Sequence, residues 1–192
     1  MSRIAVFFAD GFEEIEALTV VDICRRAEIE TDVVRVPVKD AENCGCGHRV
    51  TGSHGIALRA DSLLEEVDFD ALDMIVLPGG MPGTKNLESC EALTEQIRRF
   101  DKAERRIAAI CAAPGILGRM GLLAGRKAVS HPSAEEALSG AEIPQGEEVV
   151  VSGHIITSRG MGTAMAFALK IVEVLEGKEK ADAIAQAICY RA

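Results

Sequence analysis

The sequence predicts an α/β domain in which a mostly parallel sheet is covered by helices on both sides. Three observations lead there. Short apolar runs alternate with amphipathic stretches along the whole chain, the order expected when each strand feeds a crossover helix. Runs such as residues 4–8 are continuously apolar, the pattern of strands buried on both faces. The 192 residues are 48% hydrophobic, enough for one full core, and there is no composition break, internal repeat or low-complexity segment, so residues 1–192 read as a single domain.

The elements follow in order. Residues 4–8 form a strand that stops at Asp10-Gly11. Residues 13–27 have helical spacing, with Ile15, Leu18 and Val21 or Asp22 in phase. Residues 32–36 are β-rich. Residues 40–55, rich in Gly, Cys and His, lack helical period and read as a loop with a small hairpin. Residues 73–77 form a strand that ends at Pro78-Gly79-Gly80. A helix over 89–102, a strand over 106–110, a short helix over 112–120 and a strand over 127–130 come next. Residues 147–151 and 154–157 flank Ser152-Gly153, a two-residue hairpin signal. Helices over 163–175 and 178–190 close the chain.

Charge narrows the function. The formal net charge is -9, which argues against DNA or RNA as the main partner, because phosphate binding needs a basic patch. The basic cluster from Arg98 to Arg106 is broken by Asp101 and Glu104 and reads as a solvated surface. The apolar run after Met1-Ser2-Arg3 is too short for a secretory signal and far too short to span a bilayer. The expected location is therefore cytoplasmic, with the six cysteines mostly reduced.

In open α/β sheets ligands bind beyond the carboxyl ends of the strands, and the unusual residues sit there. Ile107-Ala-Ala-Ile110 runs into Cys111 and then Ala112-Ala113-Pro114-Gly115. A cysteine on such a strand-to-helix turn follows the logic of a nucleophile elbow. Unpaired N–H groups and the dipole of the next helix would lower its pKa. The competing reading is an inert buried thiol, the common fate of a free cysteine. Gly79 and Gly80 follow another strand, and their N–H groups could form an oxyanion hole facing Cys111; a plain tight turn is the alternative. The stretch fits neither G-x-G-x-x-G nor the P-loop, so no nucleotide is expected.

Glu13, Glu14 and Glu16 lie at a helix start. Dipole complementarity accounts for Glu13 and Glu14. Glu16 differs in phase and could point back over the strand ends, where it would share a proton with Cys111 and serve as acid or base. His131 follows the strand over 127–130 and could hydrogen-bond the thiolate or shuttle a proton, although a strand-end His is more often structural. Ser133, with Glu136 three residues on, could cap the next helix. Cys44-x-Cys46-x-His48, with His54 nearby, is half of a zinc pattern and lacks the second half, so no metal is expected.

Taken together these motifs resemble the ThiJ/PfpI superfamily, in the Parkinson disease protein 7 / YajL-like branch. The matching stretches are Gly11-x-Glu13-Glu14-x-Glu16, Val21-Asp22 with Arg25-Arg26-Ala27, Val76-Leu77-Pro78-Gly79-Gly80, Ala108-Ala109-Ile110-Cys111-Ala112-Ala113-Pro114, Ser130-His131-Pro132 and Thr157-Ser158-Arg159-Gly160-x-Gly162-Thr163. The resemblance covers nearly the whole chain. It implies a flavodoxin-like three-layer sandwich, a homodimer, and no cofactor. It also implies Cys111 as nucleophile, Glu16 as its protonated partner, His131 as a nearby polar group, and the backbone of Gly80 and Ala112 as an oxyanion site shaped by Gly79. The family's interface arginine corresponds to Arg26. Where the branch often has Cys-Ser-Arg-Gly in its hairpin, this chain has Gly52-Ser53-His54-Gly55, so His54 replaces a pocket arginine.

Three functions follow from that resemblance. The first is a deglycase or cofactor-independent glyoxalase acting on methylglyoxal, glyoxal or glycated groups through a Cys111 hemithioacetal. The second is a redox-sensing stress protein or chaperone, with Cys111 oxidised to a sulfinate. The third is an intracellular peptidase. It ranks last, because peptide hydrolysis needs a well-placed His base and Ala112, not His, follows the nucleophile.

Overall fold

The computed structural model describes residues 1–38 and 47–191. A seven-stranded sheet runs through its centre. Its first strand, β1 (Arg3–Phe8), leads into helix α1 (Glu14–Arg26) and returns as β2 (Glu30–Arg35). A separate antiparallel hairpin, β3 (Arg49–Thr51) and β4 (Ala57–Arg59), is followed by the short edge strand β5 (Ser62–Leu63) and by β6 (Met74–Leu77). Helices α2 (Gly83–Ser89) and α3 (Glu91–Lys102) lead to β7 (Arg106–Ile110) and helix α4 (Pro114–Arg119). Strands β8 (Val149–Ser152) and β9 (Ile155–Ser158) precede the closing helices α5 (Ala164–Glu176) and α6 (Lys178–Ala187).

The strand order is β5-β2-β1-β6-β7-β9-β8, and only β8 runs antiparallel to its neighbour. This is the flavodoxin-like sandwich that the motifs imply. Alternate residues of each central strand face opposite layers. Ile4, Val6 and Phe8 join α1 and α5 in one core, whereas Ala5 and Phe7 join α3 and α4 in the other. Continuous apolar strands are needed because neither face of the sheet meets water.

Several expectations are corrected. Residues 127–130 do not form a strand. β9 already fills the position beside β7, so this segment makes only one bridge, Lys127 to Glu142. Its Val129 N–H is satisfied instead by the Thr157 hydroxyl at 3.0 Å. Residues 83–89 form α2, a helix that the apolar pattern does not predict. The hairpin turn is Gly153-His154, because Ser152 pairs with Ile155 in the ladder, and Gly153 supplies the positive φ of +62° that the turn needs. The small hairpin spans residues 49–59, at the end of the predicted loop and beyond it; Cys44 and Cys46 lie outside the described residues.

Candidate active site at the ends of β1, β6, β7 and β9

β7 ends at Ile110, and the chain turns at once. Cys111 has φ +65°, a left-handed conformation that costs a residue with a Cβ about 1–2 kcal/mol. It is held there from both sides. Its N–H donates to the Ser158 carbonyl at 3.0 Å, and its carbonyl accepts the His131 N–H at 2.9 Å. The turn therefore aims Sγ away from the sheet, as an elbow does. The helix, however, does not begin beside it. Residues 111–113 are a turn, and α4 starts at Pro114 and has only six residues. The expected help from a helix dipole is thus largely absent.

Glu16 lies in the first turn of α1 and is 1% exposed. Its Oε2 accepts the Gly79 N–H at 2.9 Å. Its carboxyl also lies beside the Cys111 thiol, which works to lower the Glu16 pKa, while buried Oε1 has no hydrogen-bond partner among the described residues. Burial raises the carboxyl to a pKa of about 7, against the hydrogen bonds from Cys111 and Gly79. Burial also pushes the Cys111 thiol up to about 12, helped by the negative charge and hydrogen bond of Glu16. The thiol is therefore not acidified on its own, contrary to the sequence-based expectation. The N–H groups of Ala112 and Gly80 act in the opposite sense, favouring charge on sulfur. A buried carboxyl and a half-buried thiol side by side do not readily both ionise, so they hold one proton between them across a wide pH range.

The glycines make this contact possible. A Cβ on Gly79 would sit 2.6 Å from both Cys111 Cβ and Glu16 Oε2. Gly80 has φ +92°, and a Cβ there would lie 2.3 Å from the Glu13 nitrogen. The expected roles divide between them. The Gly79 N–H is taken by Glu16 and is not free for an oxyanion, leaving Gly80 and Ala112 as the donors near sulfur. Gly79→Ala is expected to keep the far-ultraviolet circular dichroism of the parent but lose Cys111 reactivity toward iodoacetamide. Parent-rate alkylation in that variant would show that the close approach is dispensable.

His131 caps a 3-10 helix over Pro132–Ala137, with its ring accepting the Ser133 N–H. Ser133 is thus not the cap. The Nδ1 atom lies 2.8 Å from Ser133 Oγ and 3.3 Å from Ser133 N. A backbone N–H can only donate, so Nδ1 is an acceptor and the neutral ring carries its proton on Nε2. His131 therefore offers a donor, not a base.

These groups open into a cavity of about 540 Å³ lined by Glu16, Cys111, His131, His54, Arg159 and Gly160 among others. Arg159 is paired with Glu135 at 3.3 Å. A Cβ on Gly160 would lie 3.6 Å from the His131 ring and 3.9 Å from both Cys111 Sγ and Glu16 Oε1. No role is expected of Arg159 and Gly160 from their motif alone; they follow β9, so the strand-end rule that locates Cys111 also applies to them.

A second buried acid borders the cavity. Glu14 is 1% exposed and reaches across to the β3–β4 turn. Its Oε1 accepts the His54 N–H at 2.8 Å and the Ile56 N–H at 3.4 Å, while Oε2 meets His54 Nδ1 at 2.9 Å and Ser53 Oγ at 3.4 Å. Gly52 lets it in, since a Cβ there would be 2.3 Å from the Glu14 carboxyl carbon. Burial works to raise the Glu14 pKa, but the His54 side-chain and backbone hydrogen bonds, with that from Ile56, outweigh it and bring it to about 2. Dipole complementarity alone did not foresee this clamp, because its partner is 40 residues away in sequence.

A pKa held below the unfolded value of about 4.5 stabilises the fold above that pH and loses the contribution as pH falls toward about 2. Glu14→Gln is accordingly expected to flatten the acid limb of a plot of Tm against pH; an unchanged acid limb would mean that this clamp carries no folding energy. Glu13, Glu14 and His54 also lie within 4.8 Å of one another. Glu13 Oε2 already accepts the Glu16 N–H at 2.7 Å and both Glu14 oxygens are engaged, so the cluster is organised by protein donors. His48 places Nδ1 3.2 Å from the Ala60 carbonyl.

A strained cysteine beside a buried glutamate, under two backbone N–H groups, is the arrangement that the motifs anticipated, and the DJ-1/PfpI family profile matches residues 2–174. The chain belongs to the DJ-1/PfpI family. It is 37% identical over 185 residues to protein DJ-1 homolog A of Arabidopsis thaliana, covering 95% of this chain and 45% of that protein. It thus spans less than half the length of that relative. It is 32% identical over 177 residues to the glutathione-independent glyoxalase DJR-1.2 of Caenorhabditis elegans, covering 92% of this chain and 90% of the other. Among solved structures, oxidised Toxoplasma gondii DJ-1 superposes with a TM-score of 0.88 at 36% identity, over 100% of both chains. No described helix of this family member is long and apolar enough to cross a membrane.

Proposed function

We propose that this DJ-1/PfpI chain is a cofactor-independent enzyme that converts small reactive 2-oxoaldehydes, or their adducts on glycated groups, to hydroxy acids. The observation that carries the reading is buried Glu16 set beside the half-buried Cys111 thiol, both lining one open cavity. As Sγ attacks the aldehyde carbon, Glu16 takes the thiol proton and delivers it to the new alkoxide, giving a hemithioacetal. The Gly80 and Ala112 N–H groups, with the His131 Nε2–H, stabilise the oxyanion on the way. Glu16, again a carboxylate, moves the C1 proton to C2 while the C1 hydroxyl proton passes to the C2 oxygen, leaving a 2-hydroxyacyl thioester on Cys111. Water then breaks the C–S bond, releasing lactate from methylglyoxal or glycolate from glyoxal. The glyoxalase name of the nematode relative is in keeping with this chemistry.

The test is the pH dependence of Cys111 alkylation. In the parent, the rate should rise through about pH 7 as the pair loses its first proton. In Glu16→Gln that step should vanish. An identical profile in both proteins would remove Glu16 from the mechanism.

The Gly80 and Ala112 N–H groups at Sγ also favour a second reading, in which peroxide oxidises Cys111 to a sulfinate that Glu16 then hydrogen-bonds. Mass spectrometry after mild peroxide should find Cys111 oxidised ahead of buried Cys24, whose thiol burial pushes up to about 12. A peptidase is supported least, since the His131 lone pair is engaged by Ser133 and is not free to take the thiol proton and pass it to a leaving amine. A homodimer completes the proposal: α1 leaves Ile15 and Leu18 51% and 38% exposed beside Arg26, and equilibrium sedimentation would report the mass. The expected site of action is the cytoplasm, on small aldehydes and not nucleic acid or membranes.

A further inference from the structure

The hydrolytic step of this mechanism needs a base that water can reach. In the thioester Glu16 is a carboxylate, but it is buried, with Oε2 held by the Gly79 N–H, and the ring of His131 is held as a donor by Ser133. One other imidazole lines the same cavity, that of His54. Its surroundings are the reverse of those of His131. His54 Nδ1 faces Glu14 Oε2 at 2.9 Å. A carboxylate oxygen only accepts, so Nδ1 carries the proton, and in the neutral ring the lone pair is on Nε2; the same Glu14 contact raises the basicity of the ring. Glu14 is buried, and its carboxylate is fixed by the His54 and Ile56 N–H groups and the Ser53 hydroxyl. His54 itself is largely exposed, with its side chain at 72%, and no described protein atom bonds its Nε2. A buried carboxylate that fixes the tautomer of a water-accessible imidazole is the arrangement that makes histidine a general base.

We propose that His54, positioned by Glu14, is the general base for deacylation: it activates the water that cleaves the Cys111 thioester. The step balances without any further reagent. His54 Nε2 takes a proton from water as the water oxygen bonds to the thioester carbon. The C–S bond breaks, the acid departs, and the proton passes from Nε2 to the Cys111–Glu16 pair, restoring the starting state. Glu14 touches no substrate and is a positioning residue. This rests on the aldehyde reading above, and it gives the His54 that stands at the hairpin turn a task of its own, that of turning the enzyme over.

The test is acid-quenched intact-mass analysis of the full chain during reaction with methylglyoxal, because a thioester survives acid. In the parent the Cys111 adduct should be transient. In His54→Ala and His54→Gln it should form at the parent rate and then accumulate, with release slowed by about 10²-fold. Added imidazole should speed release in His54→Ala, and Glu14→Gln should slow release by a smaller factor. Release at the parent rate in both His54 variants overturns the proposal and leaves the aldehyde reading standing. Accumulation that imidazole does not relieve also overturns it, since His54 would then act only through the shape of the turn. A parent protein that never forms a Cys111 adduct overturns the aldehyde reading, and this proposal with it.

Discussion

Replacing Glu16 with Gln is expected to lower aldehyde turnover by about 10²-fold or more while making the protein more stable above neutral pH. Both effects come from one group. Among the described residues, the carboxyl is the side chain that acts on the Cys111 thiol and can accept its proton, so its loss removes the acid–base step. The same carboxyl is buried with a pKa of about 7 in place of about 4.5. The folded state therefore binds the proton more tightly than the unfolded chain does. The contribution of Glu16 to stability is fully present below about pH 4.5 and is lost as pH rises through about 7. The full shift corresponds to roughly 3 kcal/mol. A Gln keeps an oxygen for the Gly79 N–H and has no proton to lose, so that decline should disappear. Tm measured across neutral pH in both proteins checks the stability half, and lactate formation from methylglyoxal checks the other. A Gln variant with parent activity, or with the same alkaline decline, would show that the burial of Glu16 is not what sets it.

Cys111→Ser is expected to abolish lactate formation, with turnover falling by about 10²-fold or more, and to leave no covalent adduct at position 111. A serine hydroxyl ionises far less readily than a thiol, and the buried glutamate is matched to sulfur. The fold should persist, because the strained φ of +65° is fixed by backbone hydrogen bonds to Ser158 and His131, not by the sulfur. Product assay and circular dichroism together separate loss of chemistry from loss of structure. Exposed Cys189 provides an internal control: it should alkylate equally in parent and variant. If Cys111→Ser still produced lactate at the parent rate, the catalytic thiol would lie elsewhere.

The α/β order was legible because burial on both faces of a sheet demands continuous apolar strands, and residues 4–8, 74–77 and 107–110 are such runs. Residues 127–130 show the limit of that signal. Ala128 and Val129 are fully buried, yet they lie outside the sheet, because β9 occupies the place beside β7. Apolarity reports burial but not which neighbour supplies the hydrogen bonds.

The same division applies to the candidate site. By itself the sequence determined which chemistry the chain carries: a cysteine where an apolar strand ends, glycines where another ends, and a glutamate out of phase with its helix. These are local facts, set by strand length and helical periodicity. Only the tertiary structure decided the protonation logic. It brought Glu16 against Cys111 and so raised the thiol that a helix dipole alone would have lowered. It spent the Gly79 N–H on Glu16, fixed His131 as a donor through Ser133, and set His54 in the opposite tautomer against Glu14. Proton affinities depend on burial and on charges a few ångströms away, and those neighbours come from strands and turns that sequence distance does not reveal.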